Sequence, residues 1–393
     1  MKMSKWNSAI LSDAVELVID YRGKTPKKLG SDWCNDGYRA LSAKNIKTGQ
    51  IVQEDTIRYV DEELYHKWMK EEIKKGDIIV TSEAPFGQIY YWDSDEKIVL
   101  SQRLFAIRIK KEFDARYIYQ YMTTPLFYEE MSARATGTTV IGLRQPELMK
   151  CKIKYPNIEI QKKISAILCA IDRKINNNML INDNLLQQAQ AIFSKYYAVS
   201  TEQKPFTELI SVLGGGTPKT GNSNFWNGFI PFFTPRDVGT PYTFQTEKYI
   251  TESGLDHCNS RLYPKNTSFV TARGTVGKVS LAGIPMAMNQ SCYALASKTV
   301  DPILVYFYVL EAVASLKHKA SGAVFDAIVT RDFDTEIVNV LNTEDSKIVL
   351  AIISPMMRTI HNNIKENIQL SSLRDSLVPK LMSGELDVSS INI

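Results

Sequence analysis

Two stretches decide how this chain folds: residues 164–196, ISAILCAIDRKINNNMLINDNLLQQAQAIFSKY, and residues 349–381, VLAIISPMMRTIHNNIKENIQLSSLRDSLVPKL. In the first, Ile164, Ile171, Asn178, Leu185 and Ile192 recur every seventh residue, and Leu168, Ile175, Asn182, Ala189 and Tyr196 fill the second position of the same heptads. The second stretch repeats the pattern as Val349, Met356, Asn363, Leu370 and Leu377 with Ile353, Ile360, Asn367, Arg374 and Leu381. One amphipathic helix alone would lie on its own domain. Two helices with matched Asn layers are instead expected to pack on each other, because a buried Asn penalises every register in which it faces an aliphatic side chain. The chain path makes an antiparallel return the compact solution. The expected partners are Ile164 with Leu381, Leu168 with Leu377, Ile175 with Leu370, Asn178 with Asn367, Asn182 with Asn363, Leu185 with Ile360, and Ile192 with Ile353. Pro355 is expected to kink or delay the second helix, and Gly384 to stop it.

Outward from the helices, the whole chain repeats at an offset of about 185 to 192 residues. Arg22-Gly23-Lys24-Thr25-Pro26 falls on Gly214-Gly215-Gly216-Thr217-Pro218, and YRALSAKNI (38–46) on IPFFTPRDV (230–238). KGDIIVTSEAPFGQI (75–89) falls on KNTSFVTARGTVGKV (265–279), each reading as strand, Gly-containing turn and strand. Ser101-Gln102 meets Asn289-Gln290, and Ala135-Thr136-Gly137 meets Ala320-Ser321-Gly322, after helix-like stretches at 115–131 and 302–317. The fold class expected is α+β: two similar globular domains, 1–156 and 201–342, with helical spacers at 157–200 and 343–393 forming an antiparallel, pseudo-two-fold coiled coil. Such symmetry imitates the dimers that read a duplex, and because the copies differ in most residues the target is expected to be asymmetric. Helices of this length, ~55–60 Å, match one or two turns of B-DNA.

Composition sets bounds. With 44% hydrophobic residues the chain buries full-sized cores, and a net charge of +4 permits a polyanionic partner without demanding one. Five scattered cysteines form no CxxC pair, which fits a reducing cytoplasm, and the longest apolar run, 303–310, is too short to span a bilayer. A DNA amino-methyltransferase motif, a clustered-carboxylate nuclease site and a Walker-type phosphate loop are all missing from the sequence, so no catalysis, no bound metal and no cofactor are expected in this chain. Two alternatives stand beside a DNA reader: a modification enzyme with an unrecognised active site, and a protein scaffold with only nonspecific DNA contact.

The run Ala135-Thr136-Gly137-Thr138-Thr139 with Gly142-Leu143, then Lys152-Ile153-Lys154-Tyr155-Pro156, Gln161 and ISAIL (164–168), resembles the junction in specificity subunits of type I restriction-modification systems; LMSGEL (381–386) resembles that family's ending. Together with the repeat, the resemblance covers nearly the whole chain. It implies two target-recognition domains reading double-stranded DNA, two methyltransferase subunits recruited through the helices, and restriction/translocase subunits that join them. S-adenosylmethionine, ATP and Mg2+ would belong to those partners.

The candidate DNA contacts are polar and basic side chains in loops, the types that bind phosphates and base edges. In the first copy they are Lys24, Thr25, Lys27, Lys28, Lys44, Asn45, Ser82, Gln102, Arg103, Arg134, Thr136, Thr138 and Thr139. In the second they are Lys219, Arg236, Asp237, Arg273, Thr275, Lys278, Asn289, Gln290, Lys319 and Ser321. Arg103 and Arg273 are the favoured pair. The competing reading for Ser and Thr is turn capping, and for single lysines a solvated loop.

Overall fold

A computed structural model describes residues 6–137, 140–239, 241–319 and 327–391. Contacts divide the chain into two compact units, residues 1–173 with 370–393, and residues 174–369.

The first unit is built on a four-stranded sheet in which Val15–Asp20, Leu104–Ile109, Ile78–Thr81 and Ile89–Tyr91 lie side by side. Its central strands are almost continuously apolar, as a sheet buried on both faces requires, and successive side chains point to opposite faces. Ile78, Val80, Phe105 and Ile107 face one core with Tyr117, Ile118, Ile164, Leu168 and Leu381. Ile79, Leu104 and Ala106 face a second core around Tyr65, Trp68 and Trp92. A three-stranded sheet of Arg58–Val60, Tyr38–Leu41 and Ile98–Leu100 adjoins it, its middle strand antiparallel to the first and parallel to the last. The strands Asn7–Ile10 and Lys152–Tyr155 pair and close the unit just before the long helix Ile158–Val199 begins.

The second unit repeats these three sheets in the same strand order. Ile210–Gly214, Cys292–Ser297, Ser268–Thr271 and Val279–Ala282 form the main sheet, extended by Tyr242–Thr243. Lys248–Ile250, Trp226–Phe233 and Ala287–Met288 form the three-stranded sheet with the same mixed pairing. Gln203–Pro205 pairs with Ile337–Asn339 ahead of the second long helix, Thr343–Ser383. Two differences from the sequence reading are local. The helix-like stretch at 115–131 is two helices, Ala115–Met122 and Pro125–Ser132, because Pro125 starts the second under a Thr124 cap. Pro355 neither delays nor interrupts its helix, which starts at Thr343 with Asn342 Oδ1 accepting from Asp345 N at 2.9 Å.

Within each unit the long helices pack on each other in opposite directions. In the first, Ile164 and Leu168 share a core with Leu381 and Leu377, so the start of one helix meets the end of the other. Arg374, the apparent break in the heptads, donates to Asp172 at 3.0 Å across the pair. Gly384 ends its helix at φ +79°, and a Cβ there would run into the Trp6 indole. In the second unit Asn178 Nδ2 donates to Asn367 Oδ1 at 2.8 Å and to Glu366 at 2.7 Å, while Asn363 Nδ2 donates to Asn182 Oδ1 at 2.9 Å. Asn367 Nδ2 turns to the carbonyl of Ile175 at 3.3 Å. Leu185, Ile192, Ile353 and Ile360 fill the core beyond those layers, with Phe193 and Met357 as further, fully buried members of the seam. Ile175 and Leu370, also expected in it, are half-buried and lie in different units. Among the described residues no helix is long and apolar enough to cross a membrane.

Candidate nucleic-acid interface

Each unit opens a polar cleft beside the turn that joins the third and fourth strands of its main sheet. The two turns are built alike. Thr81 Oγ1 accepts from Gln88 N at 2.8 Å and Thr271 Oγ1 from Lys278 N at 3.0 Å; Gly87 N donates to Thr81 O and Gly277 N to Thr271 O. Gly87 and Gly277 sit at φ +69° and +72°, where a side chain is strained, and a Cβ on Gly277 would come within 3.0 Å of Val313. Opposite each turn the main chain is fastened the same way: Ser82 N donates to Arg103 O at 2.9 Å, and Ala272 N to Ser291 O at 2.8 Å.

The first cleft, about 830 Å3, gathers Arg22, Lys24, Thr25, Lys28, Gln102, Arg103, Thr136 and Arg144 with Asp20 and Glu83. Among the described residues five cations face two carboxylates, a surplus suited to a polyanion. Arg22 is held by Asp20 through Nε and Nη2, at 2.9 and 2.6 Å, and lies over the Phe105 ring. Lys24 donates to the Trp68 carbonyl at 2.8 Å and lies over Tyr21; burial, then Lys70, holds its ammonium pKa below the usual lysine range. Arg103 stands exposed at φ +64°, its Nε 3.2 Å from Glu83 Oε1. Lys44 lines an adjoining opening with Gln102, Arg103, Trp33 and Arg58. The second cleft, about 760 Å3, is the counterpart of that adjoining opening and is lined by Arg236, Glu247, Lys248, Arg273, Thr275 and Asn289. Arg273 is exposed and has no ion pair among the described residues.

Several candidates are placed elsewhere. Asn45 is buried: its Oδ1 accepts from Ser42 N and Oγ, and its Nδ2 donates to Val52 O, Gln53 O and Thr56 Oγ1, leaving nothing for DNA. Asp237 does the same work in the second copy, accepting from Thr234 N and Oγ1 and from Glu247 N. The patterns Ser-x-x-Asn and Thr-x-x-Asp announce such capping boxes. Ser82 is buried with its hydroxyl donating to Arg103 O, so it positions the arginine's backbone without reading DNA. Arg134 is held by Glu130 of the preceding helix at 2.8 Å, and Lys319 by Glu336, a carboxylate with 3% exposure that needs a cation. Lys27, Lys219, Lys278 and Gln290 are exposed but stand outside these clefts, Gln290 accepting from the Thr217 hydroxyl. Thr138, Thr139 and Ser321 lie outside the described residues. Sequence reasoning passed over Arg22, Glu83, Arg144 and Lys248, although Arg22 adjoins the Gly-Lys-Thr-Pro run and Arg144 follows Gly142-Leu143.

The type I restriction modification DNA specificity domain matches residues 3–187 and again 199–370. A specificity subunit of the type I restriction enzyme MjaIX from Methanocaldococcus jannaschii is 27% identical over 170 residues, 42% of this chain but only 39% of that relative. The HindI specificity subunit from Haemophilus influenzae is 21% identical over 406 residues, 81% of this chain and 88% of the relative. The crystal structure of a type I restriction-modification S subunit from M. genitalium shares the fold with a TM-score of 0.63 at 14% identity, covering 97% of each chain. The two tandem matches cover both clefts and most of each long helix, and so the chain belongs to the type I restriction modification DNA specificity domain family.

Proposed function

We propose that this chain is the DNA-specificity subunit of a type I restriction-modification complex, in which each cleft reads one half of an asymmetric, interrupted target in double-stranded DNA. The observation that carries this is the duplicated turn at the edge of each cleft: one backbone scaffold, built twice, that presents different side chains at its tip and opposite it. A repeated frame with a changed surface is what two half-sites of different sequence require. The helix pair sets the gap between half-sites and recruits two methyltransferase subunits, which restriction/translocase subunits join. S-adenosylmethionine, ATP and Mg2+ are used by those partners, the chain itself catalyses nothing, and the complex works in the cytoplasm.

Selection from a random duplex pool by the purified full-length chain tests the proposal. The expected product is two unequal motifs separated by a fixed, unspecified gap; binding without sequence preference at any salt would overturn it. Incubation with duplex and labelled S-adenosylmethionine, without partners, is expected to leave the DNA unmethylated.

A further inference from the structure

We infer that Glu83 determines specificity in the first domain: with Arg103 it forms an edge of two donors followed by an acceptor, which reads a single G·C base pair in the major groove. The inference rests on the proposed function and goes one base pair further. A carboxylate in a cleft that otherwise collects cations repels the phosphates the cleft is suited to bind, so it needs a reason to be there. Stability does not supply one. The Glu83–Arg103 pair is a single contact at 3.2 Å between side chains 40% and 50% exposed, a kind that contributes little. Asp20, the other acid in the cleft, is spent on a two-pronged grip of Arg22.

The geometry points to recognition. Arg103 is held in a left-handed backbone conformation that a non-glycine residue avoids, fastened there by Ser82 through both N–H and hydroxyl. With Nε beside Glu83 Oε1 in an ion pair at 3.2 Å, the two Nη groups of Arg103 and Oε2 of Glu83 have no hydrogen bond among the described residues. Two donors beside one acceptor complement the N7 and O6 acceptors of guanine followed by the N4 donor of its cytosine. An A·T pair offers acceptor, donor, acceptor and matches only one of the three positions. The second domain lacks the device, having Arg273 where the first has Glu83 and Ser291 where it has Arg103.

The test is selection from a random duplex pool with full-length wild-type protein, Arg103→Ala and Glu83→Ala. The wild type is expected to yield a two-part motif, and Arg103→Ala to identify the half read by the first domain. Glu83→Ala is then expected to lose roughly 5- to 150-fold of the preference for G·C at one position of that half. Its affinity for unrelated duplex should rise as the repulsion of phosphates is relieved, while the loss of preference confined to one base pair is what a merely structural carboxylate would not produce. The other half of the motif, read in the same molecules, reports that the protein is folded. An unchanged preference at every position, or loss of the whole half at once, would overturn the role of Glu83 while leaving the proposed function standing. No motif from the wild type would overturn both.

Discussion

The turns beside the two clefts share a frame to the level of single hydrogen bonds and differ in the charge at the tip. In the first the tip is Glu83 facing Arg103; in the second it is Arg273, with Ser291 opposite. The loop beside each turn differs in the same spirit. Arg22-Gly23-Lys24-Thr25 sends side chains into the first cleft, while Gly215 packs its backbone so closely on Met288 and Asn289 that it has no room for a Cβ. The lesson is a division of labour. Threonine, glycine and main-chain bonds hold the frame, and the few positions they leave free carry the difference between the two half-sites.

The strongest way to break this comparison is to truncate the two arginines separately. Arg103→Ala and Arg273→Ala are each expected to relax one half of the recognised sequence by roughly 1–3 kcal/mol, with the other half intact. Base-resolution selection with each variant checks it, and both substitutions altering the same half would show that the clefts do not divide the target.

The comparison also shows how far the sequence could be read. The duplication, the helix pairing and the Asn layers were legible because periodic burial writes itself into residue spacing: Asn178 to Asn367 and Asn182 to Asn363 follow from the heptads. The cleft was legible at Arg103, Arg273, Lys24 and Lys28. It was misread at Asn45 and Asp237, since a polar residue repeated in both copies can serve the frame as well as the ligand. Glu83 went unassigned because only the fold brings it to Arg103. Asn45→Ala is therefore expected to lower stability by about 2 kcal/mol while leaving the recognised sequence unchanged, because capping and buried hydrogen bonds are lost but no base contact is. A denaturant melt beside a binding selection separates the two effects.

Smaller consequences are expected along the helices. Asn178→Leu alone leaves Asn367 Oδ1 without its donor and should cost about 1 kcal/mol, whereas Asn178→Leu with Asn367→Leu should recover that loss, as apolar replacements of both partners do. A double-mutant cycle by chemical denaturation measures the coupling. Additive losses would mean that the layer is solvated and does not set the register.

The mildest effect sharpens the contrast between the loops. Lys28 lines the first cleft, exposed, its ammonium donating to the Gly23 carbonyl at 2.8 Å; the same place in the second copy is Thr220. A lysine that neutralises a phosphate releases a counterion, so Lys28→Ala is expected to reduce the slope of log K against log salt by about 0.9. Across a fourfold range of salt this amounts to roughly a threefold difference in affinity, the same for every sequence tested. Thr220→Ala carries no charge change and should leave the slope where it was. Titrations of specific and unrelated duplexes at several salt concentrations would distinguish these outcomes, and a lysine substitution that changed the preferred bases but not the slope would place Lys28 on a base edge, where its long flexible stem gives it poor geometric selectivity.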